Sequence, residues 1–203
     1  MNKVVVYLHG FASSSQSEKA QLTTEYFATY YPTVDFTALD LPYDPIAALA
    51  VIKTHLQQRE IGCTAADKAV NNDRLVMIGS SLGGFLATCI VEQYGGCACL
   101  INPAVAPHTI LANHLGEYFH PVLQQFYQVT ESHMASLQQL MPKNLQHPEN
   151  YLVLLQTGDE VLDYRLALDY YQGALIYVRE GGNHSYIDYQ QQLSTLTEFC
   201  QLN

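Results

Sequence analysis

The sequence predicts an α/β fold in which a mostly parallel sheet of about six strands carries helices on both faces. Two observations support this prediction. Short apolar runs of strand length alternate with helical patterns along the chain, which is typical of strand–helix–strand units joined by right-handed crossovers. Residues able to do chemistry follow directly after several predicted strands, and functional residues of open parallel sheets lie just beyond the carboxyl ends of the strands.

Composition limits the class of protein. The 203 residues, of which 48% are hydrophobic and 14% charged, predict a single globular domain over 1–203. No apolar run approaches the roughly 20 residues that span a bilayer. The first apolar run is also too short for a signal-peptide core. We therefore expect a cytoplasmic protein without a membrane span.

Charge and metal-ligand patterns argue against a nucleic-acid-binding protein and against a metalloprotein. The formal net charge of −10 disfavours nucleic-acid binding across the surface. The five cysteines form no CxxC pair and the eight histidines form no HExxH motif, so we expect reduced core thiols and no metal site. We expect no cofactor of any kind.

The pattern of apolar runs and helix signals locates the elements. Asp44 followed by Pro45 predicts a helix start that runs to near Gly62, and Ser15 with Glu18 predicts a capping box for the first helix. Residues 64–73 are polar and are predicted to be a loop. The predicted strands cover 4–8, 34–39, 74–79, 97–101, 151–156 and 174–178. The other predicted helices cover 16–30, 84–92, 163–171 and 186–202.

Residues 105–150 break the strand–helix alternation. Proline, histidine, glutamine and aromatic residues mix there with weak helical periodicity, strongest over 109–115 and 130–141. The segment is too long for an unstructured loop in a compact domain. We therefore predict a small helical cap inserted between the fourth and fifth strands and arching over the carboxyl edge of the sheet.

One turn in the chain has the pattern of a nucleophile elbow. Gly79, Ser81 and Gly83 match G-x-S-x-G, with a buried-strand run before the motif and a helical pattern after it, as the α/β-hydrolase elbow requires. Glycines two before and two after the serine keep side chains out of the tight turn. Ser80 has Ile78 and Leu82 at these offsets, so the pattern selects Ser81 as the nucleophile.

A serine nucleophile needs a base and an acid. His184 lies in a glycine-containing loop after the sixth strand, and Asp159 follows the fifth. The order serine, acid, histidine is the one this fold uses. Glu160 is expected to point elsewhere, and Asp163, the alternative acid, is better explained as a helix cap.

The anionic intermediate needs N–H donors. We expect one from the backbone amide of Leu82, at the start of the elbow helix. The loop after the first strand should supply the second, because Gly10 allows a close approach of the backbone, and the amide of Phe11 is our candidate. His9 is expected to brace this loop through a hydrogen bond.

Five motifs in order carry a family resemblance. The runs at 7–14, 78–84, 101–107, 156–164 and 180–186 resemble those of the YqiA-like esterases, which are short bacterial α/β-hydrolases long described as an uncharacterised protein family. The resemblance implies a compact α/β-hydrolase fold and esterase activity on acyl esters or thioesters. It places the nucleophile, acid and histidine on Ser81, Asp159 and His184. Residues 108–150 match this family less well, which leaves the acyl specificity open.

The sequence therefore predicts a serine esterase that acts on a small-molecule acyl ester or thioester through an acyl-enzyme. The alternative is a non-catalytic hydrolase-fold module that binds a ligand or a protein. Such a module has no need of serine, acid and histidine at three strand ends. An epoxide or haloalkane hydrolase would need a carboxylate at the position of Ser81.

Overall fold

A computed structural model gives the structure of residues 3–120 and 124–202. The strands are β1 (Val4–Leu8), β2 (Asp35–Leu39), β3 (Leu75–Ser80), β4 (Cys97–Ile101), β5 (Gly116–His120), β6 (Gln125–Val129), β7 (Tyr151–Gln156) and β8 (Leu175–Arg179). The α-helices are α1 (Glu18–Tyr30), α2 (Pro45–Gln57), α3 (Ala65–Asn71), α4 (Leu82–Tyr94), α5 (Pro107–Leu111), α6 (Glu131–Leu140), α7 (Tyr164–Tyr170) and α8 (Leu193–Phe199). The predicted strands are confirmed, with boundaries that agree to within one residue.

Six strands form one parallel sheet in the order β2-β1-β3-β4-β7-β8. Every neighbouring pair in it is parallel, which confirms the α/β class. Because all strands run the same way, their carboxyl ends meet at one edge of the sheet. The loops that follow β1, β3, β7 and β8 are therefore brought together at this edge.

Alternate residues of the central strands fill two cores, one on each face of the sheet. In β1, Val4, Val6 and Leu8 join one core while Val5 and Tyr7 join the other. Helices α2, α4 and α7 cover the first face, and α1 and α8 cover the second. Burial on both faces explains why the strands are continuous apolar runs rather than alternating patterns.

The segment predicted as a loop over 64–73 contains helix α3, so that prediction is wrong. Thr64 caps this helix, because its hydroxyl accepts the Asp67 amide at 3.3 Å and its own amide donates to Asp67 Oδ2 at 2.9 Å. This is a capping box built with aspartate in place of the usual glutamate. Polar composition concealed a short helix that packs against α4.

The first predicted helix also begins differently. The Ser15–Glu18 capping box does not form, because the Ser15 amide donates to Asp40 Oδ1 at 2.7 Å. Helix α1 starts at Glu18 with Ser17 as its cap residue. At Asp44 the prediction is confirmed, since its carboxylate accepts the Ala47 amide at 2.7 Å and Pro45 is the first helical residue.

The last predicted helix starts seven residues too early. Tyr186 and Asp188 have φ angles of 63° and 61°, which no α-helix allows. A 3₁₀ turn over Tyr189–Gln192 follows, and α8 begins only at Leu193. These two left-handed residues lie between His184 and α8, so the chain cannot continue from the histidine loop as one helix.

The segment 105–150, called the insertion below, contains more than the expected helices. Helix α6 lies at the predicted place, whereas α5 covers only the first part of the predicted 109–115 and is followed by a 3₁₀ turn over Ala112–His114. Between them β5 and β6 form an antiparallel hairpin, which the weak helical periodicity did not predict. Among the residues described, no helix is both long and apolar enough to cross a membrane.

Candidate active site

Ser81 lies between the last residue of β3 and the first residue of α4, in a strained conformation. Its φ of 55° and ψ of −120° are rare for a residue with a side chain. Four backbone hydrogen bonds hold it there. Its amide donates to the Ile101 carbonyl at 3.1 Å, and its carbonyl accepts the amides of Gly84 at 2.9 Å, Phe85 at 3.3 Å and Ala104 at 3.1 Å. The neighbouring strand β4 and the loop after it thus fix the turn.

The glycines of the elbow are required by close backbone approaches. A side chain on Gly79 would collide with the Gly83 carbonyl oxygen, and one on Gly83 would collide with the Leu8 carbonyl oxygen. A side chain on Gly10 would reach 3.2 Å from the Cβ of Ser81. These contacts allow the loop after β1 to lie against the elbow.

His184 lies between Ser81 and Asp159. Its Nε2 is 3.1 Å from Ser81 Oγ, and its Nδ1 is 2.8 Å and 3.0 Å from the two carboxylate oxygens of Asp159. An ionised carboxylate only accepts, so Nδ1 carries the proton and Nε2 is free to accept from the serine hydroxyl. The three residues predicted from sequence therefore form one continuous line of hydrogen bonds.

The carboxylate of Asp159 is itself held in place. Its side chain is only 2% exposed, and Oδ1 accepts the amides of Val161 at 2.9 Å and Leu162 at 2.8 Å. Asp163, the alternative acid, instead caps α7 by accepting the Arg165 amide at 3.0 Å. This is the helix-capping contact expected for Asp163.

A buried amide network positions the loop that carries His184. Gln156 Oε1 accepts the amides of Asn183 at 3.0 Å and Ile187 at 2.9 Å. Asn102 Nδ2 donates to the carbonyls of Asn183 at 3.1 Å and His184 at 3.3 Å, and Asn102 Oδ1 accepts the Gln156 amide at 3.0 Å. Asn102 and Gln156 each sit at the end of a strand, within motifs that carried the family resemblance. The sequence analysis assigned them no role.

Two charged side chains also contact the histidine loop. Glu160 was expected to point elsewhere, but its Oε2 accepts the backbone amide of His184 at 3.0 Å. Lys19 Nζ donates to the carbonyl of Ser185 at 2.9 Å. Lys19 is 166 residues away from Ser185 in the chain, and no local pattern indicates such a contact.

Phe11 and Leu82, whose backbone amides are the predicted oxyanion donors, both lie beside Ser81. Both residues line the same cavity as Ser81, and Leu82 is the first residue of α4, where the helix dipole is positive. Within residues 3–120 and 124–202, neither amide donates a hydrogen bond. They are therefore available to an oxygen beside Ser81.

His9 braces the loop after β1, as expected. Its ring is buried, with Nε2 accepting the Leu41 amide at 3.0 Å and Nδ1 lying 2.8 Å from the Gly10 carbonyl. Nδ1 must therefore carry the proton. The two contacts tie Gly10 to the loop after β2, which limits movement of the Phe11 amide.

A cavity of about 340 Å³ opens beside Ser81. The lining residues that the insertion supplies are mainly apolar, and those from the β1–α1 region are mainly polar. The insertion supplies Pro107, Ile110, Leu111, His114 and Tyr118, and the β1–α1 region supplies Tyr7, Gly10, Phe11, Ser13, Ser17 and Lys19. These two parts of the lining are called the apolar wall and the polar wall below.

Not all of the insertion's apolar residues face this cavity. Leu111 and Tyr118 line it, and Tyr127 and Leu137 are buried. Leu115, Phe119 and Phe126 are exposed, Leu140 packs at the edge of the core, and Leu123 lies outside the described residues.

Among the described residues, no three His, Cys, Asp or Glu side chains are grouped to hold a metal ion.

Comparison with known proteins agrees with this architecture. A family described as an uncharacterised protein family, UPF0227, matches residues 4–201. Mouse alpha/beta hydrolase domain-containing protein 10 superposes with a TM-score of 0.70 at 15% identity, covering 97% of this chain and 89% of its own. Est1E from Butyrivibrio proteoclasticus superposes with a TM-score of 0.69 at 14% identity, covering 98% of this chain and 87% of its own.

A third similar structure is the Pyrococcus furiosus esterase Pf2001, with a TM-score of 0.59 at 14% identity and coverage of 98% of this chain and 80% of its own. At these identities the similarity establishes the fold, which is that of the α/β-hydrolases. The predicted fold class is confirmed.

Proposed function

The chain belongs to the uncharacterised protein family UPF0227, the YqiA-like family that the motifs predicted, and from that premise we propose that it is a serine esterase. The observation that carries the proposal is the line of hydrogen bonds from Ser81 through His184 to Asp159, with distances of 3.1 Å and 2.8 Å. A ligand-binding module has no use for an activated serine on a strained turn, whereas acyl transfer requires one.

In the proposed reaction, Ser81 Oγ attacks the ester carbonyl while His184 Nε2 takes the hydroxyl proton. Asp159 stabilises the imidazolium that forms. The carbonyl oxygen becomes an oxyanion, and the amides of Phe11 and Leu82 donate to it. Collapse of the intermediate breaks the bond to the leaving alcohol, which receives the proton from His184.

The second half of the reaction repeats these steps with water. His184 accepts a proton from a water molecule as the water attacks the acyl-Ser81 ester. The oxyanion forms again at the same amides, and the acid product leaves as Ser81 recovers its proton from His184. A thioester would follow the same course with a thiol as the leaving group.

Two features support an ester substrate. The similar structures from Butyrivibrio proteoclasticus and Pyrococcus furiosus are named as esterases. The cavity beside Ser81 has an apolar wall formed by the insertion, including Leu111, which suits an acyl chain. We propose that the insertion acts as a cap and that this wall contacts the acyl group.

The direct test is a panel of p-nitrophenyl esters of increasing acyl length, run beside acyl-CoA thioesters of the same lengths. The proposal predicts hydrolysis that saturates with substrate, a burst of p-nitrophenol equal to the enzyme present, and inhibition by a fluorophosphonate. Absence of turnover across both series, with the folded state verified by circular dichroism, would contradict it.

A further inference from the structure

The polar wall of the cavity beside Ser81 has a charge that the proposed reaction does not use. Lys19 is the one lysine or arginine among the described lining residues, and no aspartate or glutamate lines the cavity. In a protein with a net charge of −10, a cation with no lining carboxylate opposite it is unexpected. The hydrolysis steps above require no lysine.

Lys19 is held at this wall with donors that remain open to a ligand in the cavity. It lies in the first turn of α1, and its ammonium donates to the Ser185 carbonyl at 2.9 Å. An ammonium has three donors, and this is its one hydrogen bond among the described residues. Burial lowers the pKa of Lys19, while the charges of Glu18 and Asp159 act in the opposite direction. Asp159 already accepts from His184, Val161 and Leu162.

A second polar group at the same wall lacks a partner. Tyr7 is 1% exposed and lines the cavity, yet its hydroxyl forms no hydrogen bond within the described residues. The Ser17 hydroxyl lies near enough to influence the pKa of Tyr7, but it falls outside hydrogen-bonding geometry. A buried hydroxyl without a partner costs free energy, and such a group in a native protein calls for an explanation.

One ligand group would contact both the Lys19 ammonium and the unpartnered Tyr7 hydroxyl. Resting on the esterase function proposed above, we propose that the substrate carries a carboxylate, bound between the Lys19 ammonium and the Tyr7 hydroxyl. The rest of the substrate lies along the apolar wall formed by the insertion. The carboxylate accepts a charge-assisted hydrogen bond from Lys19 and a second one from Tyr7.

The number and type of donors favour a carboxylate over other charged groups. One ammonium and one hydroxyl match the two oxygens of a carboxylate, whereas a phosphate dianion has three oxygens and usually meets several cations or a row of amides. A cationic substrate would be repelled by Lys19. A wholly neutral ester would leave the Tyr7 hydroxyl buried and unpaired.

The test compares pairs of esters that differ in charge and are matched in length. For a carboxylate on the acyl side, the pair is mono-p-nitrophenyl adipate and p-nitrophenyl heptanoate. For a carboxylate on the alcohol side, the pair is p-acetoxybenzoate and p-tolyl acetate. We expect the wild-type protein to prefer the anionic member of one pair by about tenfold to a hundredfold in kcat/KM. The pair that shows the preference identifies whether the carboxylate lies on the acyl side or the alcohol side of the ester.

Variants then test which residues bind the carboxylate. Lys19→Met keeps the apolar stem and should lower the anionic-to-neutral ratio of kcat/KM to near one, and Tyr7→Phe should lower the ratio about threefold to tenfold. Lys53→Met, which removes the same charge from helix α2 away from the cavity, should leave the ratio unchanged. Using a ratio cancels any general effect on His184 that arises from the lost contact to Ser185.

Two results would overturn the inference. One is a wild-type protein that hydrolyses the neutral member of both pairs at least as well as the anionic member. The other is a ratio that neither Lys19→Met nor Tyr7→Phe changes; if one variant fails to fold, the other decides. In either case, continued turnover of the neutral esters would leave the esterase proposal standing. Loss of all turnover in the wild type would instead contradict the esterase proposal itself.

Discussion

The loops at the carboxyl edge of the sheet and the insertion at 105–150 are held in different ways. The loop that carries His184 is fixed by several hydrogen bonds from buried amides, chiefly those of Gln156 and Asn102. The insertion is held mainly by side-chain packing, including buried Leu137, and by a His133–Asp44 contact of 3.2 Å. Under the function proposed above, the sheet edge carries out the chemistry and the insertion selects what the cavity accepts.

This comparison predicts that the largest loss of catalytic activity follows substitution of the serine at the elbow. Ser81→Ala should remove the nucleophile and lower kcat by about 10⁶, without unfolding, because the turn is held through backbone contacts. Ser80→Ala is the matched control, and it should keep most activity. Equal losses in the two variants, measured with a short acyl ester, would contradict the assignment of Ser81.

A smaller loss is expected at the acid. Asp159→Asn should lower kcat by up to about 10⁴, since an amide favours the wrong tautomer of His184. Asp163→Asn should change little, because asparagine also caps helices well. If Asp163 were the acid, steady-state kinetics would show the larger loss of kcat in Asp163→Asn and the smaller loss in Asp159→Asn.

The insertion should respond differently. Leu111→Ala enlarges the apolar wall and should change the discrimination between long and short acyl esters by roughly 1–3 kcal/mol per lost contact, while hydrolysis of an acetyl ester is largely retained. Phe126→Ala, whose side chain is 68% exposed in the same insertion, is the control. A chain-length profile that keeps its shape in Leu111→Ala would show that the insertion does not set acyl specificity.

The smallest of these effects should come from a positioning residue at the sheet edge. Glu160→Ala removes the acceptor for the His184 amide and should lower kcat about tenfold with KM nearly unchanged. Glu160→Gln retains a carbonyl acceptor and should restore most of the rate. If both variants lose the same activity, the negative charge of Glu160 matters and not its hydrogen bond.

The parts of the fold that could be predicted from sequence are those set by local patterns. Strands buried on both faces leave continuous apolar runs. Asp44 followed by Pro45 marks a helix start, because aspartate caps helices and proline favours the first helical position. Helix α3 was missed because its cap uses Thr64 with aspartate, and its composition is that of a loop. The β5–β6 hairpin was missed because its aromatic residues form two adjacent pairs, Tyr118–Phe119 and Phe126–Tyr127, and so lack the alternation of a half-buried strand.

The site residues divide in the same way, into those that local sequence patterns indicate and those that only the folded chain brings together. Ser81, His184 and Asp159 could be named because each follows a strand in the order that the fold requires. The contacts of Asn102, Gln156 and Lys19 join residues 27 to 166 positions apart, so no spacing in the sequence reports them. The contact of Glu160 was missed because its carboxylate accepts the backbone amide of His184, 24 residues away, and a position next to the acid does not reveal such a contact.

The most direct measurement of the central claim is to trap a covalent adduct on the nucleophile. The protein is mixed with a fluorophosphonate or a slowly hydrolysed p-nitrophenyl ester, digested, and the modified peptide is identified by mass spectrometry. We predict a single adduct on Ser81, abolished in Ser81→Ala and slowed in Asp159→Asn. An adduct on Ser80 or elsewhere, or labelling that persists in Ser81→Ala, would contradict the account.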